Sequence, residues 1–230
     1  MQAQVDSCIQ STIARFETVP PTHRLLISVA GIPGSGKTTL VSRVVRGINQ
    51  KIGYEVAAMI PMDGYHLTRA ELDKMPDPAH AHFCRGAHWT FNPVALAKLV
   101  KECREPIEET LFAPSFDHKV KDPVEGDILI TPGQRILIFE GLYLSLSAPE
   151  EWAVVSSLFD ERWLVEVDED TAKRRLARRH VEAGISQSLE DGLRRAEGND
   201  IPNGRFLLEN RVEFDRVLRS EEDEGFVRDG

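Results

Sequence analysis

Apolar residues along this chain form two kinds of pattern, short unbroken runs and stripes at helical spacing, and the two alternate. Val5, Cys8, Ile9, Ile13 and Phe16 recur at helical spacing, so residues 3–18 read as an amphipathic helix that Val19-Pro20-Pro21 stops. Leu25–Ala30 is a continuous apolar run of strand length, the mark of a strand buried on both faces. After a glycine-rich turn, Lys37–Gln50 is helical in pattern, with Leu40, Val41, Val44, Val45 and Ile48 on one side. Tyr54–Ile60 reads as a second strand, ended by Pro61. The stretch 61–91 mixes Pro, His, Gly and Asp with little periodicity. It is long for a structureless loop, which predicts a functional excursion with a short helix near 68–74. Asn92-Pro93 then signals a helix running to about Cys103. Arg135–Phe139 and Arg162–Val167 are further buried strands, and a basic helix from Asp168 to Ala183 is followed by helical pattern to about Leu218.

Strands alternating with helices call for right-handed crossovers and a mainly parallel sheet with helices on both faces, a doubly wound α/β architecture. No repeat or low-complexity block divides the chain, so residues 1–230 are expected to form a single domain whose acidic tail, 220–230, is frayed. Trp152 and Trp163 lie in apolar patterns and read as core.

Composition narrows the class. The chain is 41% hydrophobic and 28% charged, the profile of a globular protein, and 230 residues suffice to bury a large core without staples. With 28 basic and 37 acidic residues the net charge is −9, which argues against a nucleic-acid polymer as partner. Locally the sign reverses: Lys173, Arg174, Arg175, Arg178 and Arg179 fall within 173–179 with no acid among them. Cys8, Cys84 and Cys103 are odd in number and lack C-x-x-C spacing, as expected of reduced thiols inside a cell. The opening MQAQVDSC has no secretory pattern, and the longest apolar stretches are too short to span a bilayer. A cytoplasmic protein with no membrane partner is expected; a homodimer is left open.

Gly31-Ile32-Pro33-Gly34-Ser35-Gly36-Lys37-Thr38 matches G-x-x-x-x-G-K-[ST], with Thr39 following, and it stands between a strand and a helix. Glycines let the backbone wrap a phosphate, with N–H groups pointing inward. Lys37 would reach the β- and γ-phosphates and the Thr38 hydroxyl would ligate Mg²⁺, while the helix N-terminus adds its positive end. GTPases, motor ATPases and small-molecule kinases all use such a loop. A GTPase would show N-K-x-D and D-x-x-G strings, and neither occurs; a motor ATPase would need more chain.

Two acids end strands. Asp63, in Met62-Asp63-Gly64-Tyr65-His66, should face the crevice at the carboxyl edge of the sheet, where it could accept a hydroxyl proton as that oxygen attacks the γ-phosphorus. It could also be a turn aspartate bonding locally. Glu140 follows four apolar strand residues and precedes Gly141, the Walker-B arrangement for holding Mg²⁺, or else it is an ordinary strand-end acid. The 173–179 cluster is either a solvated basic face or a lid that screens the transferring phosphoryl group, with Arg174 and Arg178 the favoured pair. His80, His82, Cys84 and His88 could gather as metal ligands on an extended segment, but nothing completes a tetrahedral set. His66 and His118 could hydrogen-bond a polyol or amide substrate, or simply sit on the surface.

With GIPGSGKTT, PMDGYH, FEGLYL and the basic helix in this order, the chain resembles the uridine kinase / phosphoribulokinase / pantothenate kinase group of P-loop kinases, and most of all its uridine-kinase-like branch. The likeness runs from about Leu25 to Val217. Pro114-Ser115-Phe116-Asp117-His118 resembles a segment of that group's acceptor site, Gly86–Asn92 is similar to the segment before the next helix, and Glu197–Asn203 to an N-D-x-x-N stretch near the nucleotide or lid. The resemblance implies a P-loop NTPase three-layer sandwich with an Arg-rich lid at about 168–185, and ATP and Mg²⁺ as cofactors. It implies Asp63 as base, Lys37 and Thr38 on phosphate and Mg²⁺, Glu140 as second acid, Arg174 or Arg178 in the lid, and Tyr65, His66, Arg85, Phe116 and His118 around a small-molecule hydroxyl acceptor. Where uridine kinases carry D-S-F-Y this chain has D-G-Y-H, and their P-x-Y-D-F-x-x-H-T-R string is P-S-F-D-H-K-V-K-D here, so the acceptor is a nucleoside, a pantothenate-like amide alcohol or a sugar. A nucleoside monophosphate kinase and a non-catalytic nucleotide-binding regulator are the alternatives.

Overall fold

The computed structural model describes residues 1–117 and 119–221. Helix α1 (Gln2–Phe16) leads into strand β1 (Leu25–Ala30), helix α2 (Lys37–Ile52) and strand β2 (Ala57–Pro61). A 3₁₀ turn over Met62–Tyr65 opens the excursion, which holds the short helices α3 (Arg69–Leu72) and α4 (Pro78–Phe83) before α5 (Pro93–Arg104). Strands β3 (Leu111–Asp117) and β4 (Asp122–Ile130) form an antiparallel ribbon of their own. Strand β5 (Ile136–Gly141), helix α6 (Glu150–Ser157) and strand β6 (Glu161–Glu166) return to the main sheet. Helices α7 (Glu169–Glu182), α8 (Leu189–Arg195) and α9 (Ile201–Glu209) follow, the last two joined by a π-helical turn over Ala196–Asp200, and β7 (Arg216–Arg219) closes the order.

The main sheet is five-stranded in the order β2-β5-β1-β6-β7, and every pair in it is parallel. Central β1 and β5 are buried at every position, which is why their sequences are almost wholly apolar, Ser28 and Glu140 being the polar exceptions. Successive side chains serve opposite layers. Leu25, Ile27 and Val29 of β1 join Val5, Cys8, Ile9, Leu40, Val44 and Ile48 under α1 and α2. Leu26 and Ala30 join Leu96, Val100, Trp152 and Leu207 under α5, α6 and α9. This is the expected three-layer α/β sandwich, and Trp152 and Trp163 are indeed core, 1% and 0% exposed. Among the described residues no helix is long and apolar enough to cross a membrane.

The elements depart from the sequence pattern in four places. Strand β2 begins at Ala57 rather than Tyr54, because Gly53 ends α2 with φ +90° and the Asn49 side chain brackets Ala57, donating to its carbonyl at 3.0 Å and accepting from its N–H at 2.8 Å. The pattern read as helix to Leu218 breaks at Glu209, and Arg216–Arg219 is an edge strand in which Leu218 is buried and Val217 exposed. The β3–β4 ribbon carries no clean alternation, since Phe112, Val124 and Leu129 are exposed and its register shifts between Ala113 and Ser115. Finally, the tail expected to fray from 220 is tied at its start: Ser220 N–H donates to the Glu166 carbonyl at 2.7 Å. Residues 222–230 of that tail lie outside the described residues.

Helix α9 meets the loop after β1 at Gly204, where a Cβ would stand 2.9 Å from Ile32 Cβ and 3.4 Å from Pro33 Cδ. Gly204→Val should therefore destabilise the chain by about 1–3 kcal/mol, read as a lower urea midpoint at unchanged m. Burial holds the thiols of Cys8 and Cys103 protonated, the latter pushed up to about 12, whereas Cys84 is partly exposed. The native chain should give one fast-reacting thiol with a disulfide reagent at pH 8, and three after unfolding.

Candidate active site

Strand register brings the chemistry together. Val29 of β1, Glu140 of β5 and Pro61 of β2 lie abreast, so Gly31, Glu140 and Asp63 all reach the same carboxyl edge. Strands about 4.8 Å apart put the end of β2 roughly 10 Å from that of β1, with Glu140 between them.

The loop 31–36 turns sharply into α2. Gly34 and Gly36 have φ +81° and +83°, in the left-handed region that a side chain disfavours. The N-cap of α2 is Gly36, which has no side chain to cap the helix, so its first-turn N–H groups are presented by the loop backbone together with Lys37. Ser35 Oγ is buried with no hydrogen-bond partner among the described residues. Thr39 is half-buried on the same first turn of α2. This arrangement fits a polyphosphate, which supplies acceptor oxygens to every one of these donors.

Glu140 is 6% exposed, and Thr38 Oγ1 donates to its Oε2 at 3.2 Å. A buried carboxylate beside a hydroxyl at the lip of a phosphate loop is a hard oxygen donor set, which fits Mg²⁺.

Asp63 sits in the 3₁₀ turn after β2, half-buried, and no group among the described residues bonds its carboxylate. The turn lies flush on the ribbon: a Cβ on Gly64 would stand 2.1 Å from the Pro114 carbonyl oxygen, so only glycine follows Asp63 here.

The residues expected around the acceptor divide. His66 packs against Phe91 and Phe116, with ring centroids 3.9 and 4.8 Å away. Tyr65, by contrast, turns into the core at 5% exposure, and burial raises its phenol well above the ordinary value; it does not line an open acceptor site. Arg85 is a brace. It donates to Asp122 Oδ1 at 2.9 Å, to the Leu67 carbonyl at 2.7 Å and to the Lys121 carbonyl, and it lies over the Phe116 ring. Asp122, which no sequence signal marked, holds the excursion and the ribbon together by also accepting from Arg69 N–H at 2.9 Å. His118 lies outside the described residues. His80 and His82 stand on α4 rather than an extended segment: His80 faces Cys84, and His82 pairs with Asp73 at 2.7 Å.

The basic helix α7 crosses the loop. A Cβ on Gly34 would meet the Ala172 carbonyl at 2.8 Å. Among the described contacts Arg175 touches the loop, donating to the Gly34 carbonyl at 3.2 Å, to Ser220 Oγ at 2.8 Å and to the Glu221 carbonyl at 3.1 Å. Arg174 and Arg178, the pair favoured from sequence, are exposed, and Arg174 bonds Thr171 Oγ1 at 2.9 Å. The i, i+1, i+4, i+5 spacing marked the cluster but could not say which member faced the loop. Helix α7 is anchored to α9 through Glu169, whose carboxyl Arg205 and then Lys173 hold down to about 2. The π turn adds two links: Asp200 accepts from His180 at 2.9 Å, and Asn199 donates to the Arg85 carbonyl at 3.1 Å. A cavity of about 400 Å³ adjoins the loop at the ends of β6 and β7, lined in part by Ile32, Val165, Leu208 and Arg219.

No protein-family model matches the chain. A Schizosaccharomyces pombe protein named "Putative uridine kinase" is 39% identical over 203 residues, covering 88% of this chain and 86% of that protein. The "ATP-dependent kinase-like protein" notR' of Aspergillus versicolor is 46% identical over 160 residues, 68% of this chain and 92% of that protein. Among solved structures, a "putative fructose transport system kinase" from Silicibacter sp. TM1040 superposes with TM-score 0.82 at 28% identity, covering 93% of this chain and 98% of that one.

The geometry puts Arg175 nearer the loop backbone than the exposed Arg174 and Arg178. Arg175→Gln should weaken nucleotide binding by about tenfold or more, and Arg178→Gln by less, in a fluorescent-nucleotide titration. Equal losses would remove the priority of Arg175 over Arg178.

Proposed function

Because the chain belongs to the P-loop kinase family of these relatives, we propose that it is an ATP-dependent phosphotransferase that moves the γ-phosphate to a hydroxyl of a small metabolite. The observation that carries this reading is Asp63: a half-buried carboxylate with no partner among the described residues, at the same sheet edge as the phosphate loop. In this role Asp63 orients the acceptor hydroxyl and takes its proton as the oxygen bonds the γ-phosphorus and the bond to the departing ADP oxygen breaks. The loop amides and Lys37 bind the β- and γ-phosphate oxygens, and Arg175 closes over the charge that builds on the transferring group. Thr38 and Glu140 would hold Mg²⁺, which neutralises phosphate charge when bound. The adjoining cavity has room for the nucleoside part of ATP.

A nucleoside, a pantothenate-like amide alcohol or a sugar would serve as acceptor, in a cytoplasmic setting, with neither a membrane nor a nucleic-acid polymer involved. The name of the S. pombe relative favours testing uridine first.

The test is ADP release from Mg²⁺-ATP across nucleosides, pantothenate-like alcohols, sugars and nucleoside monophosphates. One hydroxyl class should stimulate release, and Asp63→Asn should lower that rate by about 10²–10⁴-fold while ATP affinity stays within about threefold. Stimulation by monophosphates with Asp63→Asn still active would instead indicate a nucleotide kinase. ATP binding with no stimulation anywhere on the panel would favour a regulator.

A further inference from the structure

We infer that His66 is a positioning residue for Asp63: its imidazole holds the Asp63 carbonyl and so aims the Asp63 carboxylate. The inference rests on Asp63 being the general base.

The Asp63 carbonyl oxygen receives two hydrogen bonds from one residue, from His66 N–H at 3.2 Å and from His66 Nδ1 at 2.8 Å. A carbonyl only accepts, so Nδ1 carries the proton, and a neutral ring here is the Nδ1–H tautomer. Two donors on one oxygen fix the plane of the peptide between Asp63 and Gly64. That fixes ψ of Asp63, and with it the direction in which the Asp63 side chain leaves the backbone.

The ring can do this because it is itself held. Phe91 and Phe116 pack against it, and His66 pairs with Phe91 as an antiparallel bridge. Over the Phe116 ring stands the Arg85 guanidinium, 5.4 Å from its centroid and pinned by Asp122. The backbone is bracketed on both sides: Asn92 N–H donates to the Tyr65 carbonyl at 2.8 Å and Leu67 N–H to the Thr90 carbonyl at 2.9 Å. With Gly64 pressed on Pro114, the turn has no room to slide, and the His66–Asp63 bond closes it. This gives Arg85 and Phe116 a use different from touching the acceptor. They buttress the ring that sets the base.

A displacement of about 1 Å at a reacting group can cost on the order of 10²-fold, so loss of the Nδ1 bond should fall on kcat and spare KM for ATP, which the distant loop governs. Two readouts test this on the full chain. In ¹⁵N imidazole spectra at neutral pH, with the His66 signals identified by their loss in His66→Gln, Nδ1 should be protonated and Nε2 not; the opposite tautomer overturns the inference. The second is ADP release from Mg²⁺-ATP with water as the acceptor. The amide nitrogen of Asn falls near the place of Nδ1 and that of Gln near Nε2. His66→Gln should lower kcat about ten- to a hundredfold at unchanged KM for ATP, and His66→Asn should recover most of it. Gln active and Asn inactive would assign the ring to a contact through Nε2 and sink the positioning role. Asp63→Asn, measured alongside, separates the two ideas. If it keeps full turnover, the base reading fails; if it loses turnover while His66→Gln does not, only the positioning inference fails.

Discussion

Everything at this site depends on close packing at glycines around one loop. Gly34 touches the Ala172 carbonyl of α7, Gly31 would bring a Cβ within 2.9 Å of the Val165 carbonyl of β6, and Gly204 of α9 rests on Ile32. At each contact a methyl group would collide, so the loop is located against three different segments by glycines, two of its own and one on α9. The arrangement confers rigidity where charge must be met without reorganisation. It also explains why a basic helix on an acidic chain stays put, since α7 is docked by shape before any charge on it is counted.

The fold was legible because its strongest signals are local. Near-continuous apolar runs at Leu25–Ala30 and Ile136–Phe139 mark central parallel strands, and the stripe on Lys37–Gln50 needs one apolar side. The phosphate loop was legible for the same reason, as its glycines, Lys37 and Thr38 are adjacent in sequence. What escaped was set by distance. Asn49 decides where β2 starts, and Leu218 becomes a strand residue only because β6 lies beside it. The exposed apolar residues of the β3–β4 ribbon hide its period.

Within the site the same division holds. Asp63 and Glu140 could be named as strand-end acids, yet Tyr65, two residues beyond Asp63, faces the core, because the 3₁₀ turn rotates successive side chains by about 120°. Arg175 differs from Arg174 by one position, about 100° around the helix, and only the packing of α7 on Gly34 tells them apart. Asp122 had no motif to announce it. Its importance comes from what it joins.

The π turn at Ala196–Asp200 is a helix carrying one residue more than its neighbours need. That surplus residue sets the phase of everything after it. Were it deleted and the segment to relax to α geometry, α9 would turn by about 100° relative to α8. Gly204 would swing away from Ile32 and a bulkier neighbour would arrive in its place, while Asn199 and Asp200 could no longer reach Arg85 and His180 together. In this segment of the chain, length is therefore as restrictive as composition: a substitution changes one contact, but an insertion or deletion of a single residue would dephase the whole clamp over the phosphate loop.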